Sequence, residues 1–198
     1  MLPLADLRWP LTTERLSLRP ATSDDAAAIW AYRRLPEVHE WLGLAPGDRA
    51  TWDEAFAEPE RLAKTVAVEA GGVMVGDLMI ASRDGWGQRE VADRAAATEA
   101  ELGWTLHPAH TGRGYATEAV RAAIGLCFAP QADGGLGLRR VTASCFAANE
   151  MSWRLMERVG MRREQYGVRD SLHRDRGWLD GVTYALLAEE WSAMSERD

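Results

Sequence analysis

The chain has 198 residues, 46% of them apolar, and a formal net charge of −7. That length supports one well-buried core, and no stretch resembles a linker, so residues 1–198 are expected to form a single domain. The acidic balance argues against nucleic acid as a partner, because that calls for a clustered basic face. No run approaches the roughly 18 apolar residues of a membrane span, and the first ten residues lack a basic start followed by an apolar run. A cytoplasmic protein without membrane association is expected. Cys127 and Cys145 have neither CxxC spacing nor a nearby histidine, so no metal site or disulfide framework is indicated and both read as buried free thiols.

From Glu14 to Pro20 the alternation of Leu16 and Leu18 predicts a strand, and Ser23-Asp24-Asp25 then caps a helix carrying Ile29, Trp30 and Tyr32. Pro36 breaks that helix before a second helical stretch through Val38, Trp41 and Leu42, and Asp48 to Lys64 is expected to be helical. Two apolar runs between Thr65 and Ser82 flank Gly71-Gly72, a hairpin signature. Asp84 to Ala97 reads as a loop. Glu99 to Leu106 alternates, with Glu99, Glu101, Gly103 and Thr105 on one face and Ala100, Leu102, Trp104 and Leu106 on the other. A connection with Pro108 leads to an amphipathic helix through Ala116, Val120, Ala123, Ile124 and Cys127. Arg139 to Phe146 is expected as a strand, Glu150 to Val159 as a helix stopped by Gly160, and Arg162 to Ser171 and Val182 to Leu187 as strands. Arg176 to Gly181 is expected to join those strands, and Ala188 to Met194 to form a short helix. The sum is a mixed α/β (α+β) domain.

The run Thr111-Gly112-Arg113-Gly114-Tyr115-Ala116-Thr117 carries the chemistry. It follows an alternating strand and opens an amphipathic helix, so glycine lets the backbone approach an anion closely and the first helical N–H groups are left for it. A Walker loop fails for want of Gly-Lys-Ser/Thr, and a dinucleotide fingerprint fails because its acidic ribose partner has no counterpart at the end of the next strand.

These motifs resemble the GCN5-related N-acetyltransferase superfamily, and within it the RimJ/RimL-like branch. The resemblance is carried by Thr13-Glu14-Arg15-Leu16-Ser17-Leu18-Arg19, by Glu101-Leu102-Gly103-Trp104-Thr105-Leu106 with His107-Pro108, and by Gly112 to Ala119. It continues through Asn149-Glu150-Met151-Ser152 and Arg158-Val159-Gly160-Met161 to Trp178-Leu179-Asp180, Tyr184-Ala185-Leu186-Leu187 and Glu190-Trp191. It implies a mostly antiparallel central sheet of about seven strands flanked by helices and splayed between strands four and five. It also implies acetyl-CoA as co-substrate, with the pyrophosphate on the backbone of Gly112, Arg113, Gly114, Tyr115, Ala116 and Thr117. The pantetheine amides would pair with Trp104, Thr105 and Leu106, and Asn149 and Ser152 would contact the coenzyme. Thr111 stands where the superfamily usually has Gln or Arg.

An alkyl amine, mostly protonated at neutral pH, must lose a proton before it attacks a thioester. Glu101 is the leading base, with ordered water as its rival and pairing to an arginine as the structural alternative. A backbone N–H near Leu106 would meet the developing oxyanion. Where many relatives carry a tyrosine that protonates the leaving thiolate, this chain has Met156, which leaves Ser152 as the nearest donor. His107 and His110 are expected as exposed loop histidines. Trp30, Trp41, Trp52 and Trp86 are candidates for the acceptor cleft, with core packing the commoner fate of tryptophan. The acceptor is expected to be an amine, either a protein N-terminus or a small molecule, and a homodimer is compatible with the sequence. A non-catalytic acyl-CoA binder is the reading from outside the enzyme class.

Overall fold

The computed structural model describes residues 4–195. Its chain runs β1 (Leu11–Thr12), β2 (Ser17–Pro20), α1 (Ala26–Arg33), α2 (Pro36–His39), α3 (Arg49–Phe56) and α4 (Pro59–Leu62) into the β3 (Thr65–Ala70) and β4 (Val73–Arg83) hairpin. There follow β5 (Glu99–Leu106), α5 (Tyr115–Phe128), β6 (Arg140–Phe146), α6 (Glu150–Arg158), β7 (Arg162–His173), β8 (Gly177–Leu187) and α7 (Ala188–Ser195). The strands form an eight-stranded sheet in the order β1-β2-β3-β4-β5-β6-β8-β7. This is a mixed α/β architecture with a mostly antiparallel sheet, as expected, with one strand more because Leu11–Thr12 pairs with Ser17 and Leu18. The chain divides into two compact units, residues 4–80 with 103–123 and residues 81–102 with 124–195.

In the first unit the β3–β4 hairpin turns on Gly71 and Gly72, whose φ values of +58° and +77° are the left-handed pair that a two-residue turn matching strand twist demands. Asp48 caps α3 by accepting from the Thr51 N–H at 3.0 Å. The single helix expected over Asp48 to Lys64 is two, because Pro59 cannot donate to a continuing helix and instead starts α4 at its first position. Ile29, Tyr32, Trp52, Phe56 and Ala67 close a core over β3, so Trp52 is a core residue, donating its indole N–H to the Ala26 carbonyl at 2.8 Å. Inside this apolar cluster lies a charge the sequence did not announce. Asp77 of β4 is 1% exposed and accepts from the Tyr32 hydroxyl at 2.6 Å and from the Arg33 guanidinium. Burial, with the Asp77 charge adding to it, pushes the Tyr32 phenol well above its ordinary range.

In the second unit β5 and β6 run parallel and pair over Glu99, Ala100 and Glu101 against Arg140, Val141 and Thr142. That short parallel ladder fits the expected splay between the fourth and fifth strands of the resembled fold. β8 then pairs antiparallel with both β6 and β7. The β7–β8 connection differs from expectation. Gly177 to Gly181 is strand, with Gly177, Trp178, Leu179 and Gly181 paired to β7, and the reversal falls at residues 174–176. The aromatic and glycine letters of Arg176 to Gly181 resemble a turn, but the ladder continues through a register shift between Gly167 and Ser171 and decides the matter. Gly160, at φ +92°, stops α6 as expected.

Candidate coenzyme site

The strand that leads into the glycine turn is placed by a missing side chain. A Cβ at Gly76 of β4 would lie 2.5 Å from the Thr105 carbonyl oxygen and 3.2 Å from the Leu106 Cα, so only glycine lets the two backbones approach this closely. The His107 N–H donates to the Val75 carbonyl at 2.9 Å, which ties down the end of β5. Burial follows the expected alternation at Ala100 and Leu102, then departs from it. Thr105 is buried, whereas Trp104 and Leu106 are half-buried.

After the strand, the His107 Nδ1 accepts from the Ala109 N–H at 3.1 Å and shapes the short turn over Pro108. His107 and His110 are both half-buried rather than exposed, with rings 5.4 Å apart edge to face. The His110 Nδ1 is buried without a partner among the described residues, just ahead of the glycine turn. Burial, then the nearby Arg113 cation, then His107, hold the His110 imidazole below its ordinary pKa.

Gly112 and Gly114 take φ values of +75° and +82°, the left-handed conformation that explains both glycines. The first i→i−4 bond of α5 runs from the Glu118 N–H to the Gly114 carbonyl at 3.1 Å. The amides of Tyr115, Ala116 and Thr117 therefore precede the helical ladder, at the end of the helix whose dipole attracts anions. An open depression of about 460 Å³ borders the turn, lined by Thr13, Glu14, Arg15, Gly114, Thr117, Glu118 and Arg121. Left-handed glycines followed by unused backbone amides are an arrangement that fits a diphosphate.

Thr13, Arg15 and Glu118 stood within the sequence motifs without a role, and the structure brings them together. Glu118 accepts from the Thr13 hydroxyl at 2.5 Å and from the Arg15 N–H and Nε at 2.9 and 2.7 Å. Burial alone would raise the Glu118 carboxyl, but the bonds from Thr13 and Arg15 together outweigh it and hold the pKa below the usual glutamate value.

In the second unit, Glu101 forms an ion pair with Arg83, and Glu99 pairs with Arg139 at 2.7 Å and with Arg140 at 3.4 Å. Both carboxylates on this strand face thus have arginine partners. Asn149 caps α6, its side-chain oxygen accepting from the Ser152 N–H at 3.4 Å. The Cys145 thiol is half-buried rather than buried; burial pushes its pKa up to about 11, against a lowering pull from the Ser152 hydroxyl and the Trp153 N–H. Met156, 1% exposed, is part of the core. Trp86 is 92% exposed, and Trp30 is half-buried with the Arg34 guanidinium 4.8 Å over its ring. Trp104, Thr105, Leu106 and residues 112–117 belong to the first unit, and Glu101, Asn149 and Ser152 to the second.

A model of the acetyltransferase (GNAT) domain matches residues 15–162. The chain belongs to the GNAT family. Two similar proteins of Bacillus subtilis (strain 168) are the uncharacterised N-acetyltransferases YnaD and YoaA. YnaD is 35% identical over 92 residues, 46% of this chain and 51% of that protein; YoaA is 29% identical over 180 residues, 89% and 96%. Among solved structures, the GNAT-family acetyltransferase from Bacillus anthracis superposes with a TM-score of 0.73 at 27% identity, covering 90% of this chain and 98% of that one. Mycobacterium smegmatis RimJ, solved with a coenzyme A disulfide, gives a TM-score of 0.66 at 25% identity, covering 96% and 92%. As a GNAT-family member, this protein is an acetyl-CoA-dependent N-acetyltransferase.

Proposed function

We propose that this GNAT enzyme acetylates a primary amine at the N-terminus of a protein or peptide, acts in the cytoplasm, and uses residues 1–198 as one catalytic domain. The domain match over residues 15–162 crosses both compact units, which favours a single working domain. The fold shared with RimL, a ribosomal L7/L12 alpha-N-protein acetyltransferase, at a TM-score of 0.69 and together with the RimJ/RimL-like sequence motifs, favours the N-terminal acceptor. No helix among the described residues is long and apolar enough to cross a membrane.

The observation that carries the coenzyme assignment is the pair of left-handed glycines, Gly112 and Gly114, directly before the free amides of α5. In this reading the backbone of Gly112, Arg113, Gly114, Tyr115, Ala116 and Thr117 holds the pyrophosphate, and Trp104, Thr105 and Leu106 hold the pantetheine arm. Asn149 and Ser152 add further coenzyme contacts. Acetyl-CoA supplies the activated acyl group. The amine nitrogen bonds to the acetyl carbon as the carbon–sulfur bond breaks. Glu101 takes the proton that the amine loses, once its carboxylate leaves Arg83. Ser152 donates a hydrogen bond to the departing thiolate, which leaves readily because an ordinary thiol pKa is only about 8.5 and then takes its proton from solvent.

Titration calorimetry with acetyl-CoA, followed by turnover on a panel of peptides, polyamines and aminoglycosides, tests this reading. Binding together with peptide acetylation is expected. Turnover of the small amines alone would move the acceptor to a metabolite, and coenzyme binding without turnover on any amine would make the protein an acyl-CoA binder.

A further inference from the structure

Glu118 lies one turn inside α5, yet every side-chain partner described for it comes from a segment more than a hundred positions earlier. The Thr13 hydroxyl and the Arg15 N–H meet its Oε1, 105 and 103 residues away in sequence, while Arg15 Nε and Nη2 meet its Oε2 at 2.7 and 2.6 Å. The carboxylate is thereby saturated with donors. The same guanidinium reaches the turn itself: its Nη1 donates to the Arg113 carbonyl at 2.9 Å, and it lies 5.1 Å over the Tyr115 ring. A Cβ at Gly114 would come within 3.2 Å of Arg15 Nη2, so Arg15 packs directly on the glycine.

Two physical consequences follow from this contact set. The Arg113 carbonyl and the Gly114 N–H share one planar trans peptide and point in opposite directions. Fixing the carbonyl on Arg15 therefore aims the Gly114 N–H away from Arg15. Glycine's freedom makes that constraint necessary, since nothing lies within 4 Å of a Cβ placed at Gly112 and the turn has little packing of its own there. The second consequence is electrostatic. A bare carboxylate beside a phosphate-binding turn would repel the ligand, and the Arg15 cation neutralises Glu118 while leaving the helix dipole to act.

Resting on the coenzyme assignment above, we infer that Thr13, Arg15 and Glu118 are positioning residues that orient the Gly112–Thr117 amides for the coenzyme diphosphate. Arg15 is the central member because it alone touches both the helix and the turn. The experiment compares R15M, R15K, E118Q and T13V with the unaltered full chain, using calorimetry with coenzyme A and steady-state kinetics in acetyl-CoA. R15M is expected to weaken coenzyme A binding and raise KM for acetyl-CoA roughly 10-fold or more, the loss typical of a charged hydrogen-bond set, with kcat at saturation unchanged. R15K is expected to recover part of that loss, because an ammonium keeps the Glu118 pair but cannot also span to the Arg113 carbonyl. E118Q and T13V should follow with smaller increases. If the unaltered protein does not bind coenzyme A, the coenzyme assignment itself fails. If it binds and the variants lower Tm while Kd and KM stay put, the contacts are merely structural and the inference is overturned. Should R15M fail to fold, R15K and T13V decide by the same criterion.

Discussion

The helices α5 and α6 spend their first amides differently. At α6 the cap is local: Asn149 accepts from the Ser152 N–H through both its side chain, at 3.4 Å, and its carbonyl, at 3.1 Å. At α5 the first turn is held by partners of Glu118 that lie 103 and 105 residues away, and the amides ahead of the Gly114–Glu118 bond stay outside the ladder. A helix that caps itself uses the donors an anion would need. One that is held from outside keeps them free, and this is why the diphosphate is assigned to α5 and only an accessory contact to Asn149.

The comparison breaks most readily at Gly114. Replacing it with valine forces a β-branched residue into a φ of +82° and against Arg15, and coenzyme affinity measured by calorimetry should fall roughly 100-fold. Asn149→Ala should instead cost about 1 kcal/mol of stability in urea unfolding, with a change in coenzyme affinity well below that at Gly114. Equal losses of affinity at the two sites would end the distinction.

The chemistry also separates from binding. Glu101→Gln is expected to lower kcat on the order of 100-fold while leaving coenzyme affinity intact, and a rate that does not move would leave deprotonation to water. Acid sharpens the picture of Glu118. Its folded pKa is depressed, so its stabilising contribution is complete above the ordinary glutamate value and is lost as pH falls through the lowered one. Coenzyme affinity followed downward in pH should therefore hold through mild acid and fall only below the ordinary glutamate range.

The smallest expected effect concerns the thiols. Burial pushes Cys127 up to about 12 and Cys145 up to about 11, so both should alkylate slowly at neutral pH, with the half-buried Cys145 ahead of Cys127. Ser152→Ala, which removes a hydroxyl that lowers the Cys145 pKa, should slow Cys145 further. Faster labelling would detach Ser152 from that thiol.

Much of this protein was written in local signals. The two-glycine hairpin, the strand Glu99–Leu106, the stop at Gly160 and the glycine turn before α5 each depend on φ preferences or hydrophobic period, which neighbouring residues set by themselves. Met156 was equally legible, because one letter excludes a tyrosine. The fates of other residues were decided by partners distant in sequence. The tie of Arg15 and Thr13 to Glu118 and the buried Asp77 between Tyr32 and Arg33 are of this kind, as is the need for glycine at position 76. The β7–β8 strands extended past their turn-like letters for the same reason, since ladder pairing outweighed local propensity. The sequence alone determined where backbone amides would be available to an anion. Only the tertiary structure decided what holds them in place, because an ion pair joining residues a hundred positions apart leaves no periodic trace along the chain.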